Sequence, residues 1–267
     1  MEQIDVSHES GSDGRSREEL ARALAEAEEA LRARDEFLRI AGHQLRSPLT
    51  AVQLQADSLT MIARLGATSD EIEERVARVL RSVHRVTWLV EEVVDLGRVS
   101  GGRLALQVGP ADLAQLARKV VDRFGDELRR AGCEVRLDAS TPVRGSWDVA
   151  RLEHTLGSLV LAAIKSGGGH PIEVAVIPAD GDGGARDSAC VAVRDGGEGL
   201  PDEERALVFG RFEPLLAGLK AGSPVLGLWL GRAVLEAHGG RLVLAPGLAT
   251  LHLPKTGGGD SGLIRES

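Results

Sequence analysis

From about residue 16 the chain sets apolar residues against charged ones with a helical period: Leu24, Leu31, Leu38, Leu45, Val52 and Leu59 recur at intervals of seven. Such a repeat is the seam of a helix packed against other helices. Gly66 stops this helix, and Thr68 and Glu71 have the spacing of a capping box that opens the next. Ile72, Val76, Val79, Val83, Val86, Val90 and Val93 then alternate steps of four and three, and the pattern ends near Gly101 and Gly102. Two long helices joined by a short loop make an antiparallel hairpin. Each seam is apolar over many turns, more than a lone hairpin covers, so two copies forming a four-helix bundle are expected. An intramolecular bundle or a coiled-coil spacer is the plainer alternative.

The texture changes at Leu104. LALQV (104–108) reads as a short strand, 112–130 as a helix, CEVRLDA as a strand and 147–166 as a helix rich in Leu and Ala. PIEVAVI, ACVAVRD, GRLVLAP and ATLHLP read as strands, and LGLWLGRAVLEAHGG as the helix before the last two. The Gly/Asp-rich stretch 179–188 reads as a hairpin turn. The fold class is therefore α+β: a long helical hairpin followed by an α/β two-layer sandwich with a mixed sheet. The expected organisation is a disordered tail over 1–15, the hairpin over 16–102, the α/β domain over 103–256 and a second disordered tail over 257–267.

Composition narrows the function classes. With 267 residues there is room for one or two domains, and 43% hydrophobic residues is ordinary for a globular chain. The formal charge of −8 disfavours general affinity for nucleic acid or anionic membranes. Cys133 and Cys190 form no metal or redox spacing. No apolar run approaches the roughly 20 residues that span a bilayer, and the polar N-terminus has no signal-peptide core. A cytoplasmic protein without membrane insertion is the expectation; if it belongs to a sensing pathway, its sensor is missing or on another chain.

One histidine stands out. His43 sits just beside the seam set by Leu38 and Leu45, so its ring is expected to reach solvent while its backbone is held rigidly. Pro48 has no N–H for the carbonyl of Gln44, which is expected to bend the helix one turn further on. An exposed imidazole there can act as a nucleophile toward a phosphoryl group; a surface histidine on a coiled coil is the bland reading. The surrounding FLRIAGHQLRSPLTAVQLQADSL resembles the phosphoacceptor box of sensor histidine kinases, with His43, Leu45, Arg46, Ser47, Pro48 and Leu49 matching. The resemblance implies that His43 accepts phosphate at a ring nitrogen and passes it to an aspartate of a response regulator. Gln44 stands where the family has a carboxylate that serves as base, and an amide cannot take a proton. General-base help is worth roughly 10²–10⁴, so self-phosphorylation is expected to be weakened. Ser47 falls where the family has a Thr or Asn that positions water for dephosphorylation.

The second half resembles the same family's ATPase domain, of the Bergerat type, over roughly 104–254. DVARLEHTLGSLVLAAIKS resembles its asparagine box, with Asp148, Arg151, Leu152, Ala163 and Lys165 matching. The family's Mg²⁺-binding asparagine falls on Ala162 and an earlier one on Ser158; a methyl group cannot ligate a hard cation. VRDGGEGLPDEERALVFGRF resembles the first glycine box and the phenylalanine box. There Asp195, Gly197 and Gly199 match Asp-x-Gly-x-Gly, which implies an aspartate for the adenine amino group and glycines for close backbone approach. Phe209, Arg211 and Phe212 match the segment that begins the lid. GSPVLGLWLGRAVLEAHGG resembles the second glycine box: Leu226, Gly227, Leu228, His238, Gly239 and Gly240 match, while Ser223 and Val225 replace glycines around Pro224. That loop normally cradles a triphosphate at a helix N-terminus. The lid segment EPLLAGLKAG has Lys220 as its only cation.

The resemblance implies ATP with Mg²⁺ as cofactor, with binding expected to be weak or lost, and as partners a response regulator receiver domain and a second copy of the chain or another histidine kinase. Three functions remain open: an active histidine kinase with an unusual site, an impaired pseudokinase acting as phosphotransfer protein or phosphatase, and a scaffold for a partner kinase. The adenine end is intact, the phosphate and metal end and Gln44 are altered, and His43 is present.

Overall fold

The computed structural model describes residues 10–100, 104–179, 188–211, 215 and 223–255. The hairpin consists of α1 (Ser10–Arg64) and α2 (Ser69–Ser100). Helix α1 starts six residues ahead of the expected point, taking in residues 10–15 that composition assigned to a tail, and it continues through Pro48. Gly66, with φ at 79°, makes the reversal that an L side chain resists. The capping box then forms as its spacing implies: the Thr68 N–H donates to Glu71 Oε2 at 2.9 Å, and the Glu71 N–H to Thr68 Oγ1 at 3.3 Å. Those bonds, backbone first, hold the Glu71 carboxyl below its usual range. Arg75 donates to Ser58 Oγ, and Ser82 to Gln55 Oε1 at 2.9 Å, which sets the antiparallel register.

The remainder folds as β1 (Gly109–Asp112), α3 (Leu113–Arg123), α4 (Gly125–Arg130), β2 (Val135–Asp138), β3 (Arg144–Trp147), α5 (Val149–Ser166), β4 (Ile172–Ala179), β5 (Ser188–Arg194), α6 (Asp202–Phe209), α7 (Val225–Ala237), β6 (Arg241–Ala245) and β7 (Leu248–Pro254). Five strands form a sheet in the order β2-β4-β5-β7-β6, parallel only between β2 and β4. Alternate residues bury one face of it: Val174, Val193 and Leu251 are core residues, as are Leu156, Leu159, Leu228 and Leu235 from the covering helices. This is a two-layer α/β arrangement joined to a helical hairpin. Among the described residues no helix is long and apolar enough to cross a membrane.

Three local expectations are corrected. Residues 104–108 form no strand; the strand is β1, displaced to Gly109–Asp112, and it pairs with β3. Trp147 belongs to β3 and not to the following helix, with Asp148 as the N-cap of α5. The helix over 112–130 is two helices, divided at Phe124 by Gly125. The expected turn over 179–188 is described only at its ends, where Ala179 closes β4 and Ser188 opens β5; the rest of it, most of the lid and the C-terminal tail over 257–267 lie outside the described residues.

Candidate functional site

His43, Gln44 and Ser47 lie in the unbroken backbone of α1; their side chains are outside those described. Arg46 is exposed, Leu45 and Pro48 are half-buried, and Thr50 Oγ1 donates to the Arg46 carbonyl at 2.9 Å.

The second cluster surrounds a narrow, largely apolar cavity between α5, α7 and the sheet, lined by Ala162, Ser166, Asp195, Gly199, Arg205 and Leu228 among others. Asp195 directly follows β5 and lines the cavity. Its Oδ1 accepts the Gly197 N–H at 3.0 Å, and its Oδ2 accepts the Ser166 hydroxyl. A Cβ on Gly197 would lie 2.2 Å from the Ser166 carbonyl, and Gly199 has φ at 78°, so both positions require glycine. An oriented carboxylate at one end of an apolar slot can take an N–H of a planar base. Ser166 is a site residue that sequence reasoning missed; its signal was its place four residues after Ala162, one turn along the same helix face.

Elsewhere in the lining the chemistry changes. Ala162 lines it with a methyl group, and among the described residues no cluster of three or more His, Cys, Asp or Glu side chains could hold a metal ion. The residues therefore fit a nucleoside base and do not supply the family's Mg²⁺ ligand. Lys165 is exposed; its ammonium is held below the usual value by partial burial first and by Arg85 second, with Glu204 opposing. Val225 turns its side chain into the core, and its N–H donates to Ser223 Oγ at 3.3 Å, so one amide of this loop already has an acceptor. Gly227 and Leu228 follow in the first turn of α7, both buried.

Other matched residues are structural. Asp148 accepts the N–H groups of Arg151 at 3.2 Å and Gln107 at 2.9 Å. Arg151 donates to the Ala105 carbonyl and approaches Asp95 of α2 at 3.3 Å. His238 is completely buried: one ring nitrogen accepts the Asp148 N–H at 2.9 Å, and the other lies 2.7 Å from the Val234 carbonyl. Sequence reasoning also missed His154 and Trp88, whose rings stack across the junction of hairpin and α/β layer with centroids 3.7 Å apart.

A helical hairpin with a histidine on its first helix, followed by an α/β layer with an aspartate-ended slot, defines a phosphoacceptor-plus-ATPase architecture. Family models match in the same order: the His Kinase A (phospho-acceptor) domain over residues 33–102, and the histidine kinase-, DNA gyrase B- and HSP90-like ATPase over 147–260. The chain belongs to the sensor histidine kinase family. It is 30% identical over 230 residues to the circadian input-output histidine kinase CikA of Synechococcus elongatus, covering 84% of this chain and 30% of that protein. It is 32% identical over 229 residues to the histidine-protein kinase/phosphatase MprB of Mycobacterium avium, covering 84% of this chain and 41% of that one. The chain thus spans less than half the length of these relatives. The Acinetobacter baumannii histidine kinase AdeS shares the fold, with a TM-score of 0.51 at 23% identity over 80% of this chain and 98% of that one.

Proposed function

We propose that this chain is a two-component signalling protein in which His43 carries a phosphoryl group and passes it to an aspartate of a response regulator. The observation that carries the reading is a histidine in a matched phosphoacceptor segment of α1, on the same chain as a cavity lined by Asp195. In the forward direction a ring nitrogen of His43 bonds to the γ-phosphorus of ATP as the bond to the bridging oxygen breaks and ADP leaves. The regulator's carboxylate then displaces the histidine. Asp195 would accept a hydrogen bond from the adenine amino group, with the Ser166 hydroxyl holding the carboxylate in place. Two hairpins would join through their apolar seams, giving a homodimer or a heterodimer with another histidine kinase.

A second reading is favoured by Ala162 and Gln44. The metal end lacks its ligand and the residue beside His43 lacks a carboxylate, which supports an impaired autokinase that receives phosphate from a partner kinase or a phosphorylated regulator. One experiment separates the readings. The purified chain is incubated with labelled ATP and Mg²⁺, or with a labelled response regulator, and acid-labile phosphate is followed. Label from ATP supports the active kinase, and label from the regulator alone supports the phosphotransfer form. His43→Ala should abolish both, and label retained in that variant would sink the proposal. Gln44→Glu should raise any self-phosphorylation.

A further inference from the structure

Apart from the Asp195 cavity, a groove of about 600 Å³ opens where the β1–β3 ribbon meets α3 and the start of α5. Leu113, Leu116 and Leu152 give it a buried apolar lining, and Val149, which also lines it, is 40% exposed. Two cations share the lining. Lys119 pairs with Glu153 at 2.7 Å, but Arg123 takes the same carboxylate at 2.8 Å, so one negative charge faces two positive ones. The Arg144 guanidinium has no hydrogen bond or ion pair among the described residues. The one acid of the lining, Asp112, turns its Oδ1 to the N–H groups of Ala114 and Val143. Such a groove suits an occupant with adjacent apolar side chains and acids beside them.

The chain itself arrives at this rim. The Ser146 N–H donates to the Lys255 carbonyl at 2.9 Å, and the Trp147 indole N–H to the Pro254 carbonyl at 2.7 Å. A Cβ on Gly145, another residue of the lining, would fall 2.7 Å from the Lys255 carbonyl. Arg144 lies two residues before Ser146 on β3, so its backbone N–H faces the same edge. Beyond Lys255 the sequence continues as TGGGDSGLIRES, over 256–267. Leu263 and Ile264 are the only large apolar residues after Leu253, and Asp260 and Glu266 flank them against one cation, Arg265. The eight steps from Lys255 to Leu263 reach about 27 Å when extended, and about 16 Å on average in a flexible glycine-rich chain. The groove begins one residue from the Lys255 contact, so length is no obstacle.

We propose that residues 260–266 dock in this groove of the same chain, with Leu263 and Ile264 on its leucines and the two acids toward Arg144 and Lys119. The three glycines at 257–259 make the turn from the edge of β3 into the groove. A short flexible linker sets an effective concentration on the order of millimolar. A contact with a dissociation constant of about 0.1 mM between separate molecules would therefore be about nine-tenths formed within the chain.

The test is amide hydrogen exchange, read over residues 109–119, on the full chain and on a chain stopped after Lys255, which keeps every strand and helix described. Removal of the segment should speed exchange there about tenfold. Leu263→Asp with Ile264→Asp should do the same, and Arg144→Glu should act in the same direction. A second measurement pairs Val149→Cys with Ile264→Cys under mild oxidation, where a disulfide within one chain is expected by peptide mapping. The proposal is overturned if truncation leaves exchange unchanged, which would leave the groove to another occupant. It is also overturned if truncation acts but the paired aspartates do not, since the apolar anchor would then be absent. A disulfide that joins two chains would overturn it as well, by placing a second copy's segment in the groove.

Discussion

In the proposed nucleotide reading, the base-binding chemistry would rest largely on Asp195. Both oxygens are oriented from within the protein, by the Gly197 N–H and by the Ser166 hydroxyl, and each oxygen keeps a lone pair for a ligand. Asp195→Asn turns an acceptor-only group into one with an amide donor facing that hydroxyl. A hydrogen bond to a charged group is worth about 1.5–3 kcal/mol, so ATP affinity measured by calorimetry should fall roughly 10- to 100-fold. His238 acts on stability instead. Burial is the largest influence on its ring and pushes the pKa below the ordinary 6.5; the same holds for His252. A histidine kept neutral in the folded state binds fewer protons there than in the unfolded chain. Its contribution is fully present above the unfolded value of 6.5 and is lost as pH falls through the folded one. Urea midpoints should therefore drop as pH is lowered below about 6.5. His238→Gln should flatten that dependence, and an unchanged slope would show that other groups control it.

At the scale of elements, Gly157 makes the sharpest prediction. Alanine there gains up to about 1 kcal/mol of helix propensity, but the new methyl meets a Trp88 ring flanked by His154 and Phe124, and overpacking costs about 1–3 kcal/mol. The junction should open, seen as faster amide hydrogen exchange in the second half of α2 and a lower thermal midpoint. These contacts were not legible in the sequence, because Trp88 and Glu92 are separated from the His154 and Gly227 they lie against by the whole first strand pair and α3. The hairpin was legible, since its signal is a period sustained over many turns and a capping box whose bonds are local. Strands β1 and β3 were hidden for the opposite reason. RGSW has a single apolar residue, and the strand is held by pairing with β1 and by the Lys255 carbonyl, which accepts the Ser146 N–H at 2.9 Å. In the site, Asp195 and its glycines were readable as a spaced motif within one segment, whereas Ser166 gains its role only where the end of α5 meets the end of β5.

At the scale of the whole molecule the question is what covers the exposed apolar residues along the hairpin. Along α1, Leu24 and Leu38 are 62% and 57% exposed, and along α2, Val83 and Val90 are 40% and 42% exposed, although both helices already pack on each other. The ATPase layer cannot cover that surface, because it occupies the Trp88–Glu92–Leu96 face. Exposed apolar residues in a continuous line mark an association surface, and the seven-residue spacing on both helices suits knobs-into-holes packing with a second hairpin. The two faces of α2 should then be separable by mutation. Val83→Glu with Val90→Glu places two like charges from each chain in the buried seam, where unpaired charge costs several kcal/mol, so sedimentation velocity should show wild-type dimers and monomeric variants. Trp88→Ala, on the opposite face, should sediment as wild type. A wild-type chain that stays monomeric at micromolar concentration, or a double variant that remains dimeric, would show that the seam serves some other contact.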